Sequence, residues 1–180
     1  MRIPNLRRAA GAVGAAMAIV CASSAAAAPI AQVDKPAPEV DLRLLNGRIV
    51  KAKDLRGHVV VQMIWATWSP AARMELVEVQ KLYAAKRGSG LEVVALSIDE
   101  DVAEVREFWR RRQYTMPVGM RSDAFFDHYG RVSTTPMYYI VDRRGTLRYR
   151  IAGPVGPEKL ASLVGPLLAE PVPDRVAQHR

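Results

Sequence analysis

The chain has 180 residues and a formal net charge of +8, from 26 lysines and arginines against 18 aspartates and glutamates. Because 49% of its residues are hydrophobic, a sizeable core is expected and general disorder is excluded. The single cysteine, Cys21, excludes an internal disulfide and a cysteine-ligated zinc or iron–sulfur site.

The N-terminus has the pattern of a secretory signal. Three arginines precede an apolar stretch over 9–20, and alanines at 25–28 offer a small-residue cleavage site. We therefore predict a signal peptide over 1–28 and export of the mature chain. An uncleaved membrane anchor and a lipoprotein attached at Cys21 are the alternatives. Three prolines without periodicity over 29–38 predict a linker behind the signal.

A hairpin and a buried strand are predicted next. Residues 40–45 nearly alternate between apolar and polar, Asn46-Gly47 favours a tight turn, and 48–51 return as a second strand. The pattern predicts a β-hairpin. Residues 59–65 are apolar except for one glutamine, which is typical of a strand buried on both faces.

The rest of the chain alternates helical and strand patterns. A helix is predicted over 70–86, because Pro70 suits a first helical turn and apolar residues follow at helical spacing. The later predicted segments are a strand over 91–98, a helix from about 102, a short strand over 116–120, a short helix over 125–129, strands over 137–142 and 146–151, a helix over 157–169, and a flexible tail over 170–180. This order predicts one α/β domain over 39–169.

The basic residues form only short runs, Arg110–Arg112 and Arg143–Arg144. Neither run has interleaved aromatic residues or a nucleic-acid-binding motif, so no nucleic acid is expected as a partner. We predict that both runs lie on a solvated basic surface. A weak attraction to an anionic membrane surface or to an acidic partner would follow from that charge.

The run WATWSPAAR over 65–73 is the most distinctive stretch of the chain. Three further blocks stand in order around it, one beginning at Pro36 and the others over 93–100 and 129–145. With these four blocks, the chain between 36 and 168 resembles the periplasmic thioredoxin-like proteins of the TlpA and ResA type. The resemblance implies a thioredoxin-like fold, with a central mixed sheet flanked by helices and an N-terminal β-hairpin, and it implies a periplasmic location.

The resemblance also shows what the chain lacks. Ser69 and Ala72 stand where the family has the two cysteines of its redox turn. Thiol–disulfide exchange requires a thiolate that attacks a disulfide sulfur, so neither residue is expected to be catalytic. We predict instead that Ser69 caps the helix that begins at Pro70, and that Ala72 lies inside that helix.

Pro136 is the second informative residue. The resemblance implies a cis bond between Thr135 and Pro136, beside the turn, with the backbone of Thr135 free to pair with an extended chain. We therefore predict a non-catalytic module that binds a partner or peptide in a cleft formed by Trp68, Ser69, Pro70, Thr135 and Pro136. The partner would be an envelope protein, in a context such as cytochrome c maturation, thiol homeostasis or metal-centre assembly.

Two other functions stay open at this point. The chain could be an enzyme of the thiol–disulfide oxidoreductase family with a diverged active site, although a serine nucleophile would need a base, and none of the three histidines is expected near the turn. It could also handle copper or haem. Met116 and Met120 are the candidate copper ligands, but methionines at such spacing are more often core residues. No metal site and no cofactor are expected.

Overall fold

The computed structural model describes residues 30–173, which form a six-stranded mixed sheet, a separate two-stranded hairpin and four α-helices. The strands are β1 (Lys35–Pro36), β2 (Leu42–Arg43), β3 (Ile49–Val50), β4 (Val59–Trp65), β5 (Leu91–Ser97), β6 (Val118–Met120), β7 (Met137–Val141) and β8 (Thr146–Ala152). The helices are α1 (Pro70–Lys86), α2 (Val102–Arg112), α3 (Asp123–Tyr129) and α4 (Pro157–Ala169).

Six strands form the sheet in the order β1-β8-β7-β4-β5-β6. Strand β4 lies inside it, parallel to β5 and antiparallel to β7. All seven residues of β4 are buried, as their apolar run predicted. Alternate residues point to opposite faces: Val61 and Met63 belong to one core cluster, whereas Val60 and Ile64 belong to the other.

The helices cover both faces of the sheet. Helices α1, α2 and α4 contribute to the first cluster, whereas α3 packs in the second cluster with the hairpin formed by β2 and β3. An isolated bridge between Leu44 and Gly119 fastens the hairpin to β6 at the sheet edge. The predicted thioredoxin-like α/β fold, with a mixed sheet, flanking helices and a β-hairpin, is confirmed. The hairpin strands are shorter than their sequence pattern suggested.

The segment over 29–38 is not a linker in its described part. Ala31 is buried and donates its N–H to the carbonyl of His128, and β1 pairs with β8 through Lys35 and Pro36. The prediction from proline content was wrong there because β1 is an edge strand. Proline is tolerated in such a strand, since the outer edge pairs with no neighbour and needs no N–H donor.

The second basic run is not wholly solvated. The guanidinium of Arg143 is buried and donates to the carbonyl oxygens of Gly57, Ser89 and Leu168 at 2.8–3.0 Å. Only Arg144 of that pair is exposed. Arg143 thus joins three chain segments and is a structural residue.

The predicted signal peptide, residues 1–28, lies outside the described residues, which begin at residue 30. Most of the predicted tail also lies outside, although Glu170 is half-buried and pairs with Arg148 at 3.4 Å. No helix within residues 30–173 is long and apolar enough to cross a membrane.

Candidate functional site

The run WATWSPAAR forms the connection from β4 to α1. Ser69 has an extended backbone and is the N-cap of α1, and its hydroxyl accepts the backbone N–H of Ala72 at 3.3 Å. Pro70 is the first helical residue, where its missing N–H costs no hydrogen bond. The predicted helix start and the predicted cap are both confirmed. Ala72 is fully buried and lies inside the helix.

A second hydrogen bond connects this turn to the loop before β7. The Ser69 hydroxyl donates to the carbonyl oxygen of Thr135 at 3.3 Å. The Thr135–Pro136 peptide bond is cis, and the Pro136 side chain is buried. Because Ser69 is only 5% exposed and uses its hydroxyl both as donor and as acceptor, this side chain offers little to a ligand.

An open cleft of about 370 Å³ runs between the turn and that loop. The structure brings together Trp68, Ser69, Pro70 and Thr135 along it, whereas Pro136 is buried and does not line it. The remaining lining residues are Ile98, Val132, Ser133 and Thr134. Trp68 is 65% exposed at the rim, which is unusual for so large an apolar side chain. The cleft therefore has an apolar rim and a wall of hydroxyl-bearing loop residues.

Asp99 fixes the backbone of the turn. The sequence predicts only a helix start for residues 99–101, and the N-cap of α2 is Asp101. Its buried carboxylate accepts the N–H and the hydroxyl of Thr67 at 2.6–3.1 Å, and the hydroxyl of Ser97 at 2.5 Å. Bonds to a carboxylate are stronger than neutral ones, so the turn is firmly held one residue before Trp68. An acid placed directly after an apolar strand was the available signal.

Glu75 is the second missed residue. Its buried carboxylate accepts the Tyr138 hydroxyl at 2.6 Å and the backbone N–H groups of Val155 and Gly156 at 3.0 Å. Gly156 is the N-cap of α4, so the carboxylate lies at the positive end of that helix. Burial, with a further contribution from Glu75, raises the pKa of Tyr138 well above its ordinary value. The available sequence signal for its burial was the helical spacing, because Glu75 follows Ala72 by three residues and so lies on the same side of α1.

No general base contacts the Ser69 hydroxyl within residues 30–173. Its partners are the Thr135 carbonyl and the Ala72 N–H. His58 precedes β4 and therefore lies at the opposite end of that strand from the turn, and His128 lies on α3. A turn without thiols cannot perform thiol–disulfide exchange, and Ser69 has no activating partner here for nucleophilic attack.

Both methionines considered as copper ligands belong to the same apolar core. Met116 is buried in the first core cluster, and Met120 is half-buried against it. Within the described part of the chain, no three histidine, cysteine, aspartate or glutamate side chains converge as a metal site.

The chain is similar in sequence to a known family and to curated thiol-disulfide oxidoreductases. The profile of the Redoxin family matches residues 32–165. The chain is 29% identical over 129 residues to a thiol-disulfide oxidoreductase ResA from Geobacillus thermodenitrificans, covering 71% of this chain and 74% of the relative. It is 28% identical over 130 residues to the protein of that name from Bacillus anthracis, covering 72% and 75%.

Solved structures show the same fold. A thiol:disulfide interchange protein DsbE from Chlorobium tepidum superposes with a TM-score of 0.69 at 23% identity, covering 77% of this chain and 99% of that one. StoA from Bacillus subtilis superposes with a TM-score of 0.61 at 19% identity, covering 72% and 99%. The chain belongs to the redoxin family, within its TlpA/ResA type, and carries Ser69 and Ala72 where the family resemblance expects the redox cysteines.

Proposed function

We propose that this protein is a non-catalytic member of its family that binds an extended polypeptide segment of an envelope protein. The observation that carries the proposal is the pair of hydrogen bonds that the Ser69 hydroxyl makes. A buried hydroxyl caps α1 and bonds to the Thr135 carbonyl, which supports the local structure without any thiol. Trp68, Pro70 and Pro136 of the family pattern are retained around it, and the two cysteines are absent.

The cleft offers what an added strand needs. Residues 131–136 belong to no strand, and no hydrogen bond within residues 30–173 engages the Thr135 N–H. An extended peptide gains affinity from such main-chain groups and needs no sulfur for it. Trp68 supplies a large exposed aromatic surface beside them, of the kind that commonly anchors a partner.

Export supports an envelope partner. The N-terminal pattern resembles a secretory signal, and a chain that retains no cysteine after cleavage avoids unwanted disulfides in an oxidising compartment. The names of the ResA and DsbE relatives suggest a context of thiol–disulfide chemistry. We propose a periplasmic location and a role in cytochrome c maturation, thiol homeostasis or metal-centre assembly.

The test is a titration of the mature protein with capped, uncharged decapeptides of extended sequence. Trp68 is exposed while Trp65 and Trp109 are buried, so binding should move the tryptophan emission to shorter wavelength. Amide exchange at Thr135 should become slower in the complex. Trp68→Phe should lose the emission change while keeping the exchange effect.

Two results would contradict the proposal. One is the absence of both signals for every peptide. The other is thiol-dependent disulfide reduction by the wild-type protein above the uncatalysed rate, which would make it an enzyme. Pro136→Ala should weaken peptide binding, whereas Pro117→Ala, a half-buried proline before β6, is the matched control.

A further inference from the structure

Two arginines share one aromatic ring at the end of the cleft. The guanidinium carbon of Arg121 lies 5.3 Å from the ring centroid of Phe126, and that of Arg131 lies 5.2 Å from the same centroid. Phe126 is half-buried on α3, so it holds both cations at the surface. We name this group the arginine pair.

The arginine pair adjoins residues that line the cleft. Arg131 directly precedes Val132, and the Arg121 N–H donates to the carbonyl of Ser97 at 2.8 Å, one residue before Ile98. Val132 and Ile98 both line the cleft. A bound peptide that runs along the cleft from Thr135 past Val132 would therefore reach the arginine pair.

Neither arginine of the pair forms an ion pair with a residue in 30–173. Arg121 makes one long bond, 3.4 Å, to the carbonyl of Ser122. Stacking on a ring leaves the N–H edge of a guanidinium free, and that edge matches a carboxylate in a bidentate geometry. The stacking also restricts both side chains before binding, which lowers the entropy cost of ordering them.

We propose that the cleft selects an acidic extended polypeptide segment, whose carboxylate side chains bind Arg121 and Arg131. This inference rests on the proposed function and adds the chemistry of the partner. The exposed Asp123 and Asp127 on α3 argue against a flat anionic membrane as the occupant, since a bilayer would meet these charges too. A peptide with one or two carboxylates reaches the pair without covering them.

The experiment uses two capped, fluorescein-labelled decapeptides, one alternating threonine with glutamate and the other alternating threonine with glutamine. Anisotropy titrations at low salt should give about tenfold tighter binding of the glutamate peptide, a typical sum for two partly exposed charge pairs. Higher salt should reduce that preference. The double variant Arg121→Gln/Arg131→Gln should remove it while leaving the affinity for the glutamine peptide nearly unchanged.

The matched control is Arg87→Gln/Arg112→Gln. It removes the same number of positive charges, and Arg112 also lies over an aromatic ring, that of Phe108 at 5.6 Å. Unlike Arg131, neither residue is next in sequence to a residue that lines the cleft. This control should keep the preference for the glutamate peptide. Thermal melts of both double variants show whether they remain folded.

Each other outcome overturns a distinct claim. Equal binding of the two peptides would refute the acidic selection and leave the peptide-binding function standing. If neither peptide bound, both the acidic selection and the peptide-binding function would be refuted. Stronger binding to vesicles of phosphatidylglycerol than to the glutamate peptide, lost in Arg121→Gln/Arg131→Gln, would replace the acidic segment with an anionic lipid surface.

Discussion

Ser69 and Glu75 are both buried polar residues at the start of α1, yet they are held very differently. Ser69 makes two neutral hydrogen bonds at 3.3 Å. Glu75 accepts three bonds at 2.6–3.0 Å, from Tyr138 and from the backbone at the start of α4. The position matching a redox cysteine is thus loosely held, whereas Glu75, which joins α1 to β7 and to the start of α4, is tightly held. We therefore expect that the side chain at position 69 can be replaced without loss of the fold.

The strongest test of this contrast restores the sulfurs. The double variant Ser69→Cys/Ala72→Cys should accelerate the reduction of insulin disulfides by dithiothreitol above the uncatalysed rate. We expect no such acceleration from the wild-type protein. The thiol from Ser69→Cys would lie at the N-terminus of α1, where the helix dipole lowers a thiol pKa. Residues at the cap and three further on face each other, so a disulfide fits.

Ser69→Cys alone is the matched control, because it lacks the resolving thiol and should not sustain turnover. If the double variant folds and forms its disulfide yet stays inert, the cleft has been remodelled beyond the two sulfurs. That result would contradict the view that only the redox chemistry was lost.

Removal of the tightly held residue should have the largest effect on stability. Glu75→Ala leaves the Tyr138 hydroxyl and two backbone N–H groups buried without their acceptor, which we expect to cost roughly 2–4 kcal/mol. Glu78→Ala, on the same helix, removes only a surface pair with Lys81 and should cost less than about 1 kcal/mol. Chemical denaturation measures both, and similar losses would show that Glu75 is not the firm support described.

The contrast also separates what the sequence could predict from what it could not. The cap at Ser69 and the helix start at Pro70 are local, because the capping bond joins Ser69 to Ala72, three residues later. The buried strand β4 follows from its own apolar run. Such features depend on neighbouring residues alone, and their prediction succeeded.

Glu75 and Arg143 could not be predicted in that way. The partners of Glu75 come 63 to 81 residues later in the chain, and Arg143 donates to carbonyls 25 to 86 residues away. A charged residue in isolation is typical of a surface, so only the tertiary arrangement reveals that these two are buried. The cleft itself combines a turn and a loop 66 residues apart, which here required the family resemblance.

The smallest expected effect is at the loosely held position. Ser69→Ala removes a helix cap and one bond to Thr135, and caps of this kind contribute roughly 0.5–2 kcal/mol. Ser122→Ala is the control, since Ser122 caps α3 in the same way at 3.1 Å from the Phe125 N–H. Losses of similar size in denaturation would mean that Ser69 acts as an ordinary cap. A loss as large as that of Glu75→Ala would instead mean that the hydroxyl is a main support of the cleft, so that cysteine could not replace it without cost.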